Sequence, residues 1–245
     1  MIRHHSWVRK NTPWPANSVA VLSHGAGSTA DFLARAFPSD RLGVADCRYV
    51  EDRSGDINQI RSQLQQVIRQ LDAPVIVGGV SLGGHAAAGL LASAERPESA
   101  VAGLVCLPAW LGRPDEVAAM TAAAAIDVST RGIAAVLNDL DSEDWVVAEL
   151  SKAWRNRDEN QLASELRMTS RQQSPRLTDL ANLSLPVGVV GLANDPLHPL
   201  RAATDWADAL PRSGMSKMTR HEAAADRAVF ADHARAALSR AWEKD

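Results

Sequence analysis

The stretch Val75-Ile76-Val77-Gly78-Gly79-Val80-Ser81-Leu82-Gly83-Gly84-His85 decides how the rest of the chain is read. Three β-branched residues in a row, without polar alternation, predict a short strand buried on both faces. The small residues from Gly84 to Ala94 predict a helix packed close to its neighbours. Between the two lies a Gly-x-Ser-x-Gly turn, Gly79 to Gly83. A strand that reverses this sharply into a helix forces strained dihedrals on the residue at its apex. The positions two residues to either side must then carry almost no side chain, and Gly79 and Gly83 meet that demand. A serine hydroxyl becomes a nucleophile only when a base can take its proton and its oxygen stands clear of the backbone. The free N–H groups and dipole at the start of the next helix would favour the negative charge that attack creates. Ser81 is therefore the candidate nucleophile. A capping serine in a glycine-rich turn is the plainer reading of the same residues.

Outward from this turn, short apolar runs at Ser18–Leu22, Gly43–Tyr49, Val101–Leu107 and Pro186–Gly191 predict further strands. The more polar Met215–Thr219 predicts a strand at the sheet edge. Helical patterns alternate with them, at Asp56–Leu71, Pro199–Leu210 and Ala225–Trp242; the first puts Ile57, Ile60, Leu64, Ile68 and Leu71 on one face. This alternation defines an α/β protein with a mainly parallel, doubly wound sheet. From Ala109 to about Leu183 it stops. Four helical patterns follow one another there, at Asp115–Ala125, Ile133–Leu140, Asp144–Arg155 and Glu159–Met168. Residues 109–183 are read as a helical cap inserted over one end of a core made of residues 1–108 and 184–245. A separate small helical domain is the alternative.

The length of 245 residues suits one core with one insertion, because single cores stop growing near ~250–300 residues. A net charge of -3 without a basic stripe argues against nucleic acid or an anionic membrane as partner. Cys47 and Cys106 both fall in predicted strands and read as small buried hydrophobes. No Cys/His cluster has ligand spacing, so no metal is expected. Met1-Ile2-Arg3-His4-His5 leads into no apolar signal segment, and no later run reaches about 20 apolar residues. The expected location is the cytoplasm.

The second informative loop, Ser23-His24-Gly25-Ala26-Gly27-Ser28, follows the first strand directly. Its glycines let backbone amides turn toward a ligand. Gly25-Ala26-Gly27-Ser28-Thr29-Ala30 fits the Gly-x-Gly-x-x-Ala loop of a dinucleotide-binding oxidoreductase, with Asp46 in the next strand as ribose ligand. Ser23 and His24 separate strand from glycine and weigh against that reading. Taken with the Ser81 turn, the His-Gly loop makes the chain resemble the α/β-hydrolase fold family over nearly its whole length. The resemblance implies an oxyanion hole built from the backbone N–H groups of Ala26 and Leu82, and no cofactor. It places the triad acid on the turn after the Pro186–Gly191 strand, at Asp195, and the base between the last strand and the last helix, at His221. The glycine usual before that histidine is absent. Asp195 as a turn or capping residue, and His221 as a surface histidine, are the plain alternatives. His233 is the understudy for the base, while His198 reads as a helix-start residue. His85 reads as packing under the turn, and His24 as a brace for its own loop.

The resemblance implies that His221 takes the Ser81 proton, Ser81 attacks a carbonyl carbon, and water releases the acyl-enzyme. Trp110, Trp145 and Trp154 all fall in the insertion and are expected to wall an apolar acyl pocket, with helix-on-helix packing as the alternative. The expected function is hydrolysis of a carboxylic ester, thioester or lactone, a small-molecule acyl substrate. An acyltransferase or perhydrolase of the same fold, and a ligand-binding member without catalysis, stand beside it.

Overall fold

The computed structural model describes residues 12–112, 114–140 and 143–244, so Met1 to His5 lie outside the described residues. Six strands, β1 (Val19–Ser23), β2 (Asp46–Val50), β3 (Val75–Val80), β4 (Ala100–Cys106), β5 (Val187–Ala193) and β6 (Ser213–Thr219), form one sheet. Every pairing is parallel, in the order β2-β1-β3-β4-β5-β6, so the polar β6 closes one edge. Helices α1 (Ala30–Ala36) and α2 (Ser39–Leu42) lead from β1 to β2, α3 (Ile57–Ile68) from β2 to β3, and α4 (Leu82–Leu91) from β3 to β4. Between β4 and β5 stand α5 (Glu116–Arg131), α6 (Ile133–Asn138), α7 (Trp145–Trp154), α8 (Glu159–Thr169) and α9 (Leu177–Ala181). α10 (Leu200–Ala209) joins β5 to β6, and α11 (Arg220–Ala225) and α12 (Val229–Trp242) follow.

The missing alternation in the strands has a simple cause. Successive side chains of a strand point to opposite faces, and here both faces are dry. Ala20 and Leu22 of β1 pack with Phe37, Phe230 and Leu238. Val19 and Val21 pack on the other side with Ile60, Leu64, Leu91 and Trp206. Cys47 and Cys106 are free thiols buried in β2 and β4. No described helix is long and apolar enough to cross a membrane.

Two boundaries differ from the sequence expectation in ways that matter. α5 runs past Ala125 to Arg131 and ends at Gly132, whose φ of 81° suits glycine. The helix expected over Ala225–Trp242 begins later, at Val229, and a further short helix, α11, precedes it because a capping box starts it straight from β6. The Thr219 side chain accepts from the Glu222 N–H at 3.2 Å, and the Glu222 carboxylate accepts from the Thr219 N–H at 2.7 Å. The inserted helices share a small core of Ala125, Val128, Ile133, Trp154, Leu162, Ala163 and Leu166, and Ala26 from the loop after β1 packs against it.

Candidate active site

Ser81 stands between β3 and α4 with φ 53° and ψ −120°. Its N–H donates to the Cys106 carbonyl at 2.8 Å, and its own carbonyl accepts from the His85 N–H at 3.0 Å. The flanking glycines are dictated by close approach: a Cβ on Gly79 would lie 2.3 Å from the Ser23 oxygen, and one on Gly83 2.2 Å from it. Holding an L-residue at positive φ costs on the order of 1–3 kcal/mol and persists only where the surroundings enforce it. Among the described residues the other non-glycine positions with positive φ are Leu107 at 50° and Asn194 at 58°. They follow β4 and β5 directly, so backbone strain gathers at the carboxyl ends of three neighbouring strands. Leu82 opens α4, and the helix ladder offers no partner to the N–H of a first residue.

The loop after β1 crosses Ser81 closely. A Cβ on Gly25 would lie 3.0 Å from the Ser81 Cβ and 3.7 Å from its Oγ. The Gly25 carbonyl accepts from the Ser28 N–H at 3.1 Å. It also lies 2.7 Å from His24 Nδ1. Because the Asp52 N–H donates to His24 Nε2 at 3.1 Å, Nδ1 carries the proton and donates to Gly25. His24 is thus the brace of its loop. Two donors on one carbonyl fix the plane of the Gly25–Ala26 peptide, whose N–H is that of Ala26. Asp46, by contrast, opens β2 opposite Val19, whereas the loop follows Ser23 opposite Val50. Four residues of strand, ~13 Å, separate the two, so the dinucleotide reading lacks its ribose ligand.

Asp195 follows Asn194 at the end of β5 and is buried at 7% exposure. Its Oδ1 accepts from the N–H groups of Leu197 and His198, both at 2.9 Å, and faces His198 Nδ1 at 3.2 Å. The Arg220 guanidinium pairs with Oδ2 and reaches on to Asp144, the N-cap of α7. Burial would raise the Asp195 carboxyl, but hydrogen bonding and charge from His198, with the charge of Arg220, outweigh it and hold the group below its ordinary value.

The structure does not bring His221 to this place. The capping box puts His221 in the first turn of α11, exposed, while Arg220 turns inward to Asp195. His233 sits instead with its Nδ1 2.8 Å from Ser216 Oγ. His85 is fully buried, stacked on Trp206 at 5.1 Å, and its Nε2 accepts from the Ala109 N–H at 3.3 Å. Burial, with His198 nearby, pushes its imidazole down to about 3. Sequence reasoning passed over His198 as a helix-start residue. The signal was Asp195-Pro196-Leu197-His198, an acid and an imidazole three residues apart on a tight turn into α10.

A cavity of about 500 Å³ joins these groups: Ser81, Gly25, Ala26, Asp195 and His198 line it from the sheet side. Trp110, Trp145 and Trp154 all contribute to its wall, with Phe32, Leu140 and Phe230. Glu149 of α7 also lines it, bound by Arg35 at 3.0 and 2.8 Å and by Arg227 at 3.1 Å. Burial works against the Glu149 carboxylate, yet the hydrogen bonds and charges of Arg35, with those of Arg227 and Lys152, take its pKa down to about 2. Among the described residues no lysine or arginine lines the cavity.

No protein-family model and no curated protein matches the chain in sequence. Solved structures do match it in shape. MenH from S. aureus superposes with a TM-score of 0.67 over 91% of each chain at 16% identity. The bromoperoxidase from Bacillus anthracis gives 0.66 over 88% of this chain and 89% of its own, also at 16%. A thermophilic esterase from Thermogutta terrifontis gives 0.64 over 84% and 82%, at 18%. With its parallel sheet, its strand–turn–helix at Ser81 and these likenesses, the chain has the α/β-hydrolase fold.

Proposed function

We propose that this protein is a serine hydrolase that cleaves a carboxylic ester, thioester or lactone through an acyl-enzyme on Ser81. One observation carries the reading. A serine held at φ 53° lines the same cavity as an imidazole whose Nδ1 lies 3.2 Å from a buried carboxylate. With Nδ1–H donating to Asp195, His198 Nε2 keeps its lone pair and is the base, in place of the exposed His221. His198 takes the Ser81 proton while Oγ bonds to the carbonyl carbon, and the displaced π pair rests on the carbonyl oxygen. The Ala26 and Leu82 N–H groups stabilise that charge. Collapse of the adduct expels the alcohol or thiol, which leaves with the proton from His198, and water repeats the sequence to free the acid. The wall of Trp110, Trp145 and Trp154, without a lining cation, suits an uncharged apolar acyl group.

Arg220 favours a second reading, a ligand-binding protein without turnover. Its guanidinium already balances the Asp195 charge, which weakens the hold of that carboxylate on an imidazolium. A fluorophosphonate probe separates the two. The expected result is one adduct by intact mass, mapped to Ser81 and absent from Ser81→Ala. An unlabelled wild type, beside a known esterase labelled in the same tube, leaves the binding reading standing.

A further inference from the structure

Glu165 is a carboxylate in an odd place. It lies on α8 of the insertion, yet its side chain is 1% exposed. Its Oε1 accepts from the Gly27 N–H at 2.6 Å, and its Oε2 pairs with Arg157, itself 5% exposed, at 2.6 Å. Burying such a pair is unfavourable unless both ends are met, so its placement calls for a reason. On the other side of the same glycine, the Trp154 indole N–H donates to the Gly27 carbonyl at 2.8 Å. Gly27 has φ 69°, and a Cβ there would lie 2.9 Å from Trp154 Nε1, so glycine alone fits between the two groups. Glu165, Arg157 and Trp154 all belong to the chain between β4 and β5, and together they grip the backbone of the residue next to Ala26.

We propose that Glu165 and Trp154 are positioning residues: they aim the Ala26 N–H, so that the oxyanion hole of the core is completed by the cap. The inference rests on the acyl-enzyme reading of Ser81. The loop is anchored on one side at the Gly25 carbonyl by His24 and Ser28, both of the core. It is anchored on the other side at Gly27 by the cap, and Ala26 lies between. An oxyanion donor works only within a narrow window of about 2.7–3.1 Å, so a loop anchored on one side alone leaves that donor misaimed. The Gly27 N–H is already given to Glu165, which leaves Ala26 as the donor. Arg157 balances the Glu165 charge, so the clamp brings no net negative charge toward the forming oxyanion.

Trp154→Phe keeps an aromatic ring, though a smaller one, and removes the donor, Glu165→Leu removes the acceptor, and Glu165→Gln keeps an oxygen for the Gly27 N–H. With a chromogenic ester, kcat is expected to fall ~10–100-fold in Trp154→Phe and Glu165→Leu. In Glu165→Leu, whose side chain does not line the cavity, KM stays within about twofold, because the ground state makes little use of the hole. Affinity for a boronic acid, which forms a tetrahedral adduct on Ser81, falls in step with kcat, and Glu165→Gln recovers most of both. Amide hydrogen exchange across residues 25–28 speeds up in the same order. Variants that melt like the wild type and keep both kcat and slow exchange overturn the clamp, as does a loss confined to KM. A wild type that neither turns over the ester nor binds the boronate sinks the acyl-enzyme reading instead; exchange then decides the clamp alone, and an unchanged rate in Trp154→Phe ends it.

Discussion

The two sides of the cavity are held by different physics. On the Ser81 side the constraints are steric and backbone in origin: Ser81 sits at the apex of a turn whose glycines lie against the Ser23 carbonyl, and Gly25 crosses it at contact distance. On the Asp195 side the constraints are charges. Asp195 pairs with Arg220 beside its contact to His198, Arg220 ties back to Asp144, and Glu149 gathers Arg35 and Arg227. A steric constraint is indifferent to pH and fails only when atoms are added or a strained residue is relaxed. A charge balance shifts with every proton and every single substitution. The two sides should therefore break in different ways.

If the proposed acyl-enzyme forms, the largest effect falls on the Ser81 side. Ser81→Ala should lower ester turnover by up to ~10⁶-fold, measured on a chromogenic ester, since no other group replaces the attacking oxygen. Ser81→Gly should be equally inactive but more stable than Ser81→Ala, by roughly 1–2 kcal/mol in chemical unfolding. Alanine keeps the strained φ that glycine adopts freely. Equal stabilities would mean that the turn stores no strain.

The Asp195 side should show the next effect. His198→Ala is expected to lower kcat ~10²–10⁴-fold, the range of a general base, while His221→Ala stays within about twofold. The opposite pattern would return the base to His221 and require α11 to unwind in the working enzyme.

Legibility in the sequence follows the same division. The apolar runs that became five of the six strands, and the Gly-x-Ser-x-Gly turn, are local constraints written in adjacent residues. The turn that buries Asp195 was legible because an apolar strand ends just before it. The exposure of His221 was not, because a helix rotates its side chains about 100° per residue. Once Thr219 and Glu222 cap α11, Arg220 faces inward and His221 outward, so one residue of boundary exchanges the two roles. The Glu165 contact to Gly27 spans 138 residues of chain and was invisible, since no local pattern links positions so far apart. The short helices α1, α2 and α9 carried too little periodicity to be seen.

The smallest effect tests the contrast most directly, through acid. The folded Glu149 carboxyl lies at about 2, below its ordinary 4.5, so the stabilisation it supplies is complete above that ordinary value and is lost as pH falls from about 4.5 toward 2. Asp195 is shifted in the same direction and adds to the same loss. The melting temperature should thus drop on acidification through this window, and Glu149→Gln should flatten part of the drop by a few degrees while retaining the share owed to Asp195. The strain at Ser81 involves no titrating group, so the stability gap between Ser81→Gly and Ser81→Ala should stay constant across the same pH range. A gap that narrows as Glu149 takes up its proton would mean that the charges on α7 help to press the turn into shape, and that the two sides act as one.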